Sequence, residues 1–403
     1  MRQTMQPFTF HTPTRIDFGE DTASGVGDLL AELGGTHPLL VTDANLQEAG
    51  VLRPILEGLE SSGIKTPLIF DRVPADSDIA CVREAAKAAR AAGCDCVIAV
   101  GGGSVLDTAK VANIGLTFEG DVLEFEGMNT LSSRLFPMIA IPTTAGTGSE
   151  VSAVAMIKDH EQHKKLLFGS RFLFPDVAVL DPKLLVSLPP RLTAATGLDA
   201  LTHAIESFVA MTKSSPSDAL CLEAMKLIFS NLPRATNHGA DLDARSAMLV
   251  GSMMAGLSFT NAGVGIVHAL AHAFGAKFGT HHGLANAIFL PHGMEFNKEE
   301  VADKFEMAYR YLVVVMQSAP EPARGWFTAD GGKGDDAEKL IEAVRKLSEA
   351  CGIPARLRDA NVPELSDADV AELAEAAMTD PAIMFNPKPT EIEDLANIIK
   401  RAY

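Results

Sequence analysis

The sequence predicts an α/β N-terminal domain followed by an all-α C-terminal domain. Three observations carry this expectation. From about residue 37, short apolar runs alternate with amphipathic stretches, the rhythm of a parallel sheet covered by helices. Beyond residue 190, long helical patterns dominate and β-branched runs become rare. Between the two textures stands Pro189–Pro190, the strongest boundary signal in the chain, which divides it into residues 1–188 and 189–403.

Taken in order, PLLVTD at 38–43 reads as a buried strand, and Leu46, Leu52, Ile55, Leu56 and Leu59 then recur at helical spacing. TPLIFDRV at 66–73 is a second strand. Ile79 to Ala92 is an alanine-rich helix, and CVIAV at 96–100 is a third strand that runs into three glycines. Helical spacing resumes from Val105 to Ile114, and PMIAIP at 137–142 is the next strand, again leading into a Thr/Gly loop. In the second half, Asp218–Leu232, Asp243–Phe259 and Ala337–Ala350 place apolar residues three and four apart.

Composition narrows the function classes. The 403 residues suffice for two ordinary domains, and 47% hydrophobic with 21% charged residues is a globular balance. A net charge of −18 argues against nucleic acid or an acidic membrane surface as partner, because both need a basic face. It leaves room for anionic small molecules, which a local pocket of backbone N–H groups can bind. The five cysteines are sparse and form no CxxC pair, which fits a reducing compartment. Cys94 and Cys96 are expected to be buried and inert. The N-terminus shows no apolar signal-like core, and no window approaches the ~18 apolar residues of a membrane span, so a cytoplasmic protein is expected.

Two loops point to a phosphate-bearing ligand. In VIAVGGGSVLDTAK, Gly101, Gly102 and Gly103 sit where a strand hands over to a helix, whose free N–H groups and positive dipole end suit an anion. In IPTTAGTGSE, Thr143, Thr144, Thr147 and Ser149 offer hydroxyls after the neighbouring strand. Two such loops at strand C-termini would form one crevice, where open α/β sheets bind ligands. Taken singly, each is also compatible with a plain tight turn. Asp43, at the end of the first strand, fits either an acid for an adenosine ribose or a helix N-cap.

The residues from Gly263 to Asn297 hold five of the chain's eleven histidines. His268 and His272 are four apart in an apolar setting, His282 follows ten later, and upstream Asp199 and His203 are four apart in a helical run. Buried imidazoles need a partner, so this constellation reads as a metal site. A carboxylate with imidazoles suits Fe²⁺ or Zn²⁺ alike.

These motifs resemble the iron-containing (group III) alcohol dehydrogenase family across nearly the whole chain. GGGSVLDTAK, IPTTAGTGSEVS, ATGLDALTHAIE, the block through HGLANAIFLPH and the C-terminal NPKP carry the resemblance. It implies the dehydroquinate-synthase-like architecture of an α/β nucleotide domain and a helical metal domain. It also implies Asp199, His203, His268 and His282 as metal ligands, with His272 as an additional active-site histidine. Asp43 would lie near the adenosine ribose. Gly102, Gly103, Ser104, Asp107, Thr143, Thr144, Thr147 and Ser149 would line the nucleotide loops, with Lys165 near the cofactor. One departure is the ADSD at 75–78, where many relatives carry Asn-Pro; Asp76 there would disfavour a nearby anionic group.

The implied activity is NAD-linked interconversion of a primary alcohol or diol and its aldehyde, with Asp43 favouring NAD over NADP. Iron is the implied metal and zinc the alternative. The partners expected are a small-molecule substrate and a second copy of the chain. Two rivals are a hydroxyacid–oxoacid transhydrogenase and a sugar-phosphate cyclase that uses NAD transiently. The cyclase would need a cluster of basic residues, and residues 263–297 contain only Lys277 besides histidines. Phe259, Phe274 and Phe278 fit either a substrate pocket or plain core packing.

Overall fold

The computed structural model describes residues 7–64, 66–160, 164–328, 334–360 and 362–403. By their contacts, Thr12–Leu188 form one unit, and Pro189–Tyr403 form the other together with the segment through His11. This departs from a division at 1–188 in one respect. The His11 N–H donates to Asn261 Oδ1 (2.7 Å) and Asn261 Nδ2 donates back to the His11 carbonyl (3.2 Å), which ties the N-terminal segment to the helices.

The strands of the first unit are β1 (Arg15–Phe18), β2 (Pro38–Val41), β3 (Leu68–Phe70), β4 (Cys96–Gly101), β5 (Gly127–Met128), β6 (Met138–Pro142), β7 (Val154–Asp159), β8 (Lys164–Gly169) and β9 (Val177–Leu180). Its helices are α1 (Val26–Glu32), α2 (Ala44–Glu48), α3 (Arg53–Ser61), α4 (Ile79–Ala92) and α5 (Gly103–Thr117). The main sheet runs β1-β9-β6-β4-β2-β3, with every neighbouring pair parallel. Strands β2, β4, β6 and β9 are buried along their whole length, which explains their unbroken apolar runs.

Two expectations change in detail. The helical spacing over Leu46–Leu59 resolves into α2 and α3, separated by a turn at Ala49–Gly50, and the strand at 66–73 contracts to β3. A second sheet, β5-β8-β7, is an addition. Its β7–β8 pair is antiparallel from Val154↔Gly169 to Asp159↔Lys164, and burial alternates along β7, the mark of one covered and one open face.

The second unit consists of α6 (Pro190–Val209), α7 (Ser215–Asn237), α8 (Leu242–Ala262), α9 (Ile266–Phe278), α10 (His282–Val315), α11 (Asp336–Ala350), α12 (Asp367–Met378) and α13 (Ile392–Ala402). Helix α6 starts with Pro190 at its first position, where a missing N–H costs nothing, and is buried from Thr193 to Val209. It is the central helix, packed by α7, α8 and α10. Short turns join α8 to α9 and α9 to α10, the two helices that carry His268, His272 and His282, while α8 and α10 pack on α6. Among the described residues, no single helix is long and apolar enough to cross a membrane.

Candidate metal and nucleotide sites

Asp199 and His203 project from one face of α6, His268 and His272 from α9, and His282 opens α10. The start of α10 can lie against α6 because residue 283 is glycine. A Cβ there would stand 2.5 Å from the Ala195 carbonyl oxygen and 3.3 Å from Asp199 Cβ. This approach puts His282 Nε2 3.5 Å from Asp199 Oδ1, with His268 Nε2 4.0 Å from the same oxygen. One ligand atom each from Asp199, His268 and His282 lies within 4.8 Å of the others.

The surroundings favour a cation. The Asp199 and His268 side chains are only 2% and 3% exposed, and such buried groups need compensation. Asn286, one turn after His282 on α10, directs its Nδ2 at the same point: 2.6 Å to Asp199 Oδ1, 3.1 Å to His282 Nε2 and 3.3 Å to His268 Nε2. Three lone-pair atoms thus converge on a common position. A carboxylate oxygen and two imidazole nitrogens fit a divalent transition metal such as iron or zinc.

His203 is buried beside this group and lies outside the set of converging atoms. Its ring centroid is 4.5 Å from that of His268 and 4.5 Å from that of Phe259. His272 Nδ1 lies 2.8 Å from Asp380 Oδ2, and its ring stacks on His282 with centroids 5.1 Å apart. Burial opposes charge on Asp380, but its ionic contact and hydrogen bond with His272 outweigh burial and hold its carboxyl below the ordinary value. Burial likewise opposes charge on His268, yet Glu206 on its Nδ1 shifts the ring upward. Phe274 belongs to the core, packed on Phe289 and Phe278, whereas Phe259 faces His203.

In the α/β unit, the parallel register Gly101↔Pro142 makes the two predicted loops leave the sheet side by side. Gly102 is the N-cap of α5 and supplies no side chain to its first turn; the Val105 N–H donates to the Gly102 carbonyl at 3.0 Å, which leaves the Gly103 and Ser104 amides to face an anion. The loops touch: a Cβ on Gly103 would meet Thr147 Cγ2 at 2.5 Å, and one on Gly102 would meet Thr144 at 3.3 Å. The Thr143 N–H donates to the Gly101 carbonyl at 3.0 Å.

Asp107 is half-buried and holds the loops together. Its Oδ1 accepts from Ser149 Oγ (2.6 Å) and its Oδ2 from the Met156 N–H (2.9 Å). Ser104 Oγ donates to the Ala75 carbonyl at 2.5 Å. Asp43 acts as N-cap of α2, accepting from the Leu46 N–H at 3.0 Å. Lys165 lies 3.7 Å from Asp76, which also pairs with Lys158 at 3.2 Å. The acid at 76 is therefore outnumbered by two lysines, and the local charge is less hostile to an anion than the sequence implies.

Three residues of the metal region carry no signal that the sequence reading used: Glu206, Asn286 and Asp380. The first two lie at helical spacing from Asp199 and His282, a pattern that extends the ligand face by another turn. Asp380 has no such local marker.

A parallel sheet with paired glycine and threonine loops, in one chain with a helical unit in which Asp199, His268 and His282 converge, defines a metal-type nucleotide-dependent dehydrogenase. The model of the iron-containing alcohol dehydrogenases matches residues 13–182, and that of the family's C-terminal region matches 193–403. The chain belongs to the iron-containing alcohol dehydrogenase family. It is 36% identical over 398 residues to the 1,3-propanediol dehydrogenase of Klebsiella pneumoniae, covering 98% of this chain and 99% of that protein. It is 33% identical to the NAD-dependent methanol dehydrogenase of Bacillus methanolicus, at 98% and 99% coverage. A crystal structure of 1,3-propanediol oxidoreductase superposes with a TM-score of 0.90 at 35% identity, covering 99% of this chain and all of the other.

Proposed function

We propose that the chain interconverts a small primary alcohol or diol and its aldehyde with NAD(H), using iron, with zinc as the alternative metal. The observation that carries this reading is the convergence of Asp199, His268 and His282 on one point in the helical unit. Those residues would hold the cation, and His203, whose ring centroid lies 4.5 Å from that of His268, completes the proposed set. When bound, the cation would supply Lewis acidity towards the alcohol oxygen and the nicotinamide would serve as hydride acceptor.

The chain's own residues have separable roles. Gly102, Gly103 and Ser104 would present α5 amides to the cofactor's phosphates, with Thr143, Thr144 and Thr147 adding hydroxyls and Lys165 positive charge. Asp107 and Ser149 would keep the two loops in register. Asp43 uses one oxygen to cap α2; its charge suits a ribose diol and repels a 2′-phosphate, which favours NAD over NADP. His272 Nε2 would take the alcohol proton and pass it towards solvent, while Asp380 on Nδ1 holds the ring. The cyclase alternative loses its one cation in the histidine-rich block, because Lys277 is engaged by Asp369 (2.8 Å) and Glu372 (2.5 Å).

The test is to strip the purified protein with a chelator, verify metal loss, and restore Fe²⁺ anaerobically or Zn²⁺. NADH formation with ethanol, butanol and 1,3-propanediol should vanish and return with metal, and should fail with NADP. Full turnover in the verified metal-free protein would defeat the proposal. His203→Ala and His268→Ala should each lose both metal and turnover. A cytoplasmic homodimer is proposed as the working form, which light scattering would report as twice the 42.7 kDa chain mass.

A further inference from the structure

Glu206 lies two turns beyond Asp199 on α6 and so shares its face. Its carboxylate is buried and makes three contacts. Oε2 lies 2.6 Å from His268 Nδ1, Oε1 accepts from the Val267 N–H at 2.7 Å, and Oε2 accepts from the His268 N–H at 3.4 Å. The two amides belong to the first turn of α9, whose N-cap, Gly265, offers no side chain to them. Glu206 therefore caps α9 from another helix. Gly265 makes room for it: a Cβ there would stand 3.1 Å from Glu206 Oε1 and 2.8 Å from Asn386 Oδ1.

An ionised carboxylate can only accept, so the hydrogen between Glu206 and His268 sits on Nδ1. Nε2 is then left with its lone pair bare, and Nε2 is the atom that faces Asp199 and His282. We infer that Glu206 is a positioning residue that fixes the tautomer and ring orientation of His268, and thereby makes its Nε2 a metal ligand. The inference rests on the metal reading proposed above. Carboxylates behind ligating histidines act in this way, and losing one weakens metal binding by roughly 10–100-fold.

Glutamine separates this role from simple capping. In Glu206→Gln, the amide oxygen can still accept from the Val267 N–H, which preserves the start of α9. The amide nitrogen facing His268 is a donor, so Nδ1 must accept and the ring proton moves to Nε2. The variant should fold with a near-native melting temperature yet bind metal roughly 10–100-fold more weakly. Glu206→Asp, which restores an acceptor-only partner, should recover part of that loss.

Metal-free wild type, Glu206→Gln and Glu206→Asp would be titrated with Co²⁺ against a competing chelator. Nitrogen-15 NMR of the histidine rings in alkaline buffer would read which nitrogen of His268 carries the proton. The expected result is Nδ1–H in wild type and Glu206→Asp, Nε2–H in Glu206→Gln, and weakened Co²⁺ binding by the glutamine variant. Binding by Glu206→Gln within twofold of wild type, or one tautomer in both proteins, overturns the inference. Should wild type take up no Co²⁺, the metal reading fails, and the tautomer alone decides whether Glu206 sets His268. Should Glu206→Gln not fold, equal affinity and an Nε2–H ring in Glu206→Asp and wild type would likewise refute it.

Discussion

Lys110 and Glu150 are buried titratable groups behind the nucleotide loops. Lys110 Nζ donates to the carbonyls of Ser152 (3.0 Å) and Val154 (2.9 Å), and burial still pushes its ammonium down to about 8, against the pull of Asp107 and Glu150. Burial pushes the Glu150 carboxyl up from 4.5 to about 7. The folded protein therefore keeps a proton on Glu150 across that window which the unfolded chain gives up, and stability falls as pH rises through it. Glu150→Gln should flatten this slope, by on the order of 1–3 kcal/mol between its ends. Urea unfolding at pH 5, 6 and 7 checks it; equal slopes in both proteins would contradict it. Legibility at this scale follows sequence distance. Asp43 as a cap is readable because its partner is three residues away. Asp380 is not, since its partner lies 108 residues away; Glu206 and Asn286 share the ligand faces by helical spacing, but the partners that give them a role lie 62 and 87 residues distant.

Among the elements, α5 and its two flanking loops behave as one device. Asp107 joins the middle of α5 to Ser149 and to β7, so the phosphate-facing loops hold a fixed spacing. Asp107→Ala would leave the Met156 N–H and the Ser149 hydroxyl without their acceptor, at a cost of about 1–3 kcal/mol. Its effect on cofactor should exceed its effect on chemistry: NAD affinity, read by NADH fluorescence titration, should drop roughly tenfold, the weight of ~1.4 kcal/mol, with kcat changed less. Unaltered affinity would remove Asp107 from any role in the cradle. The glycine run, the helix after it and both strands were legible because Gly, Thr and apolar runs are local signals. That Asp107 faces a second loop was not, as this requires β4 and β6 to be neighbours.

At the scale of the whole molecule, the two units should respond separately to their ligands, so unfolding is not a single two-state step. Metal that binds the folded helical unit alone adds about 2.7 kcal/mol at a hundredfold excess over Kd. Calorimetry should show one transition moving upward with Zn²⁺, and His268→Ala should abolish the movement; a shift that survives in the variant would place the metal elsewhere. Strands β1 and β9 were not expected, whereas β2, β3, β4 and β6, the helices between them and the break at Pro189–Pro190 could be read directly from the chain, because periodicity and Gly/Pro punctuation act over a few residues. So could the residue types of both sites. The sheet order β1-β9-β6-β4-β2-β3 could not, and it decides the ligand crevice: β2 has β3 on one side and β4 on the other, and the chain reverses between them. The small β5-β8-β7 sheet and the separation of His203 from the converging Asp199, His268 and His282 were equally hidden. These features depend on which faces meet after long crossovers, and packing between distant segments leaves no period in the sequence.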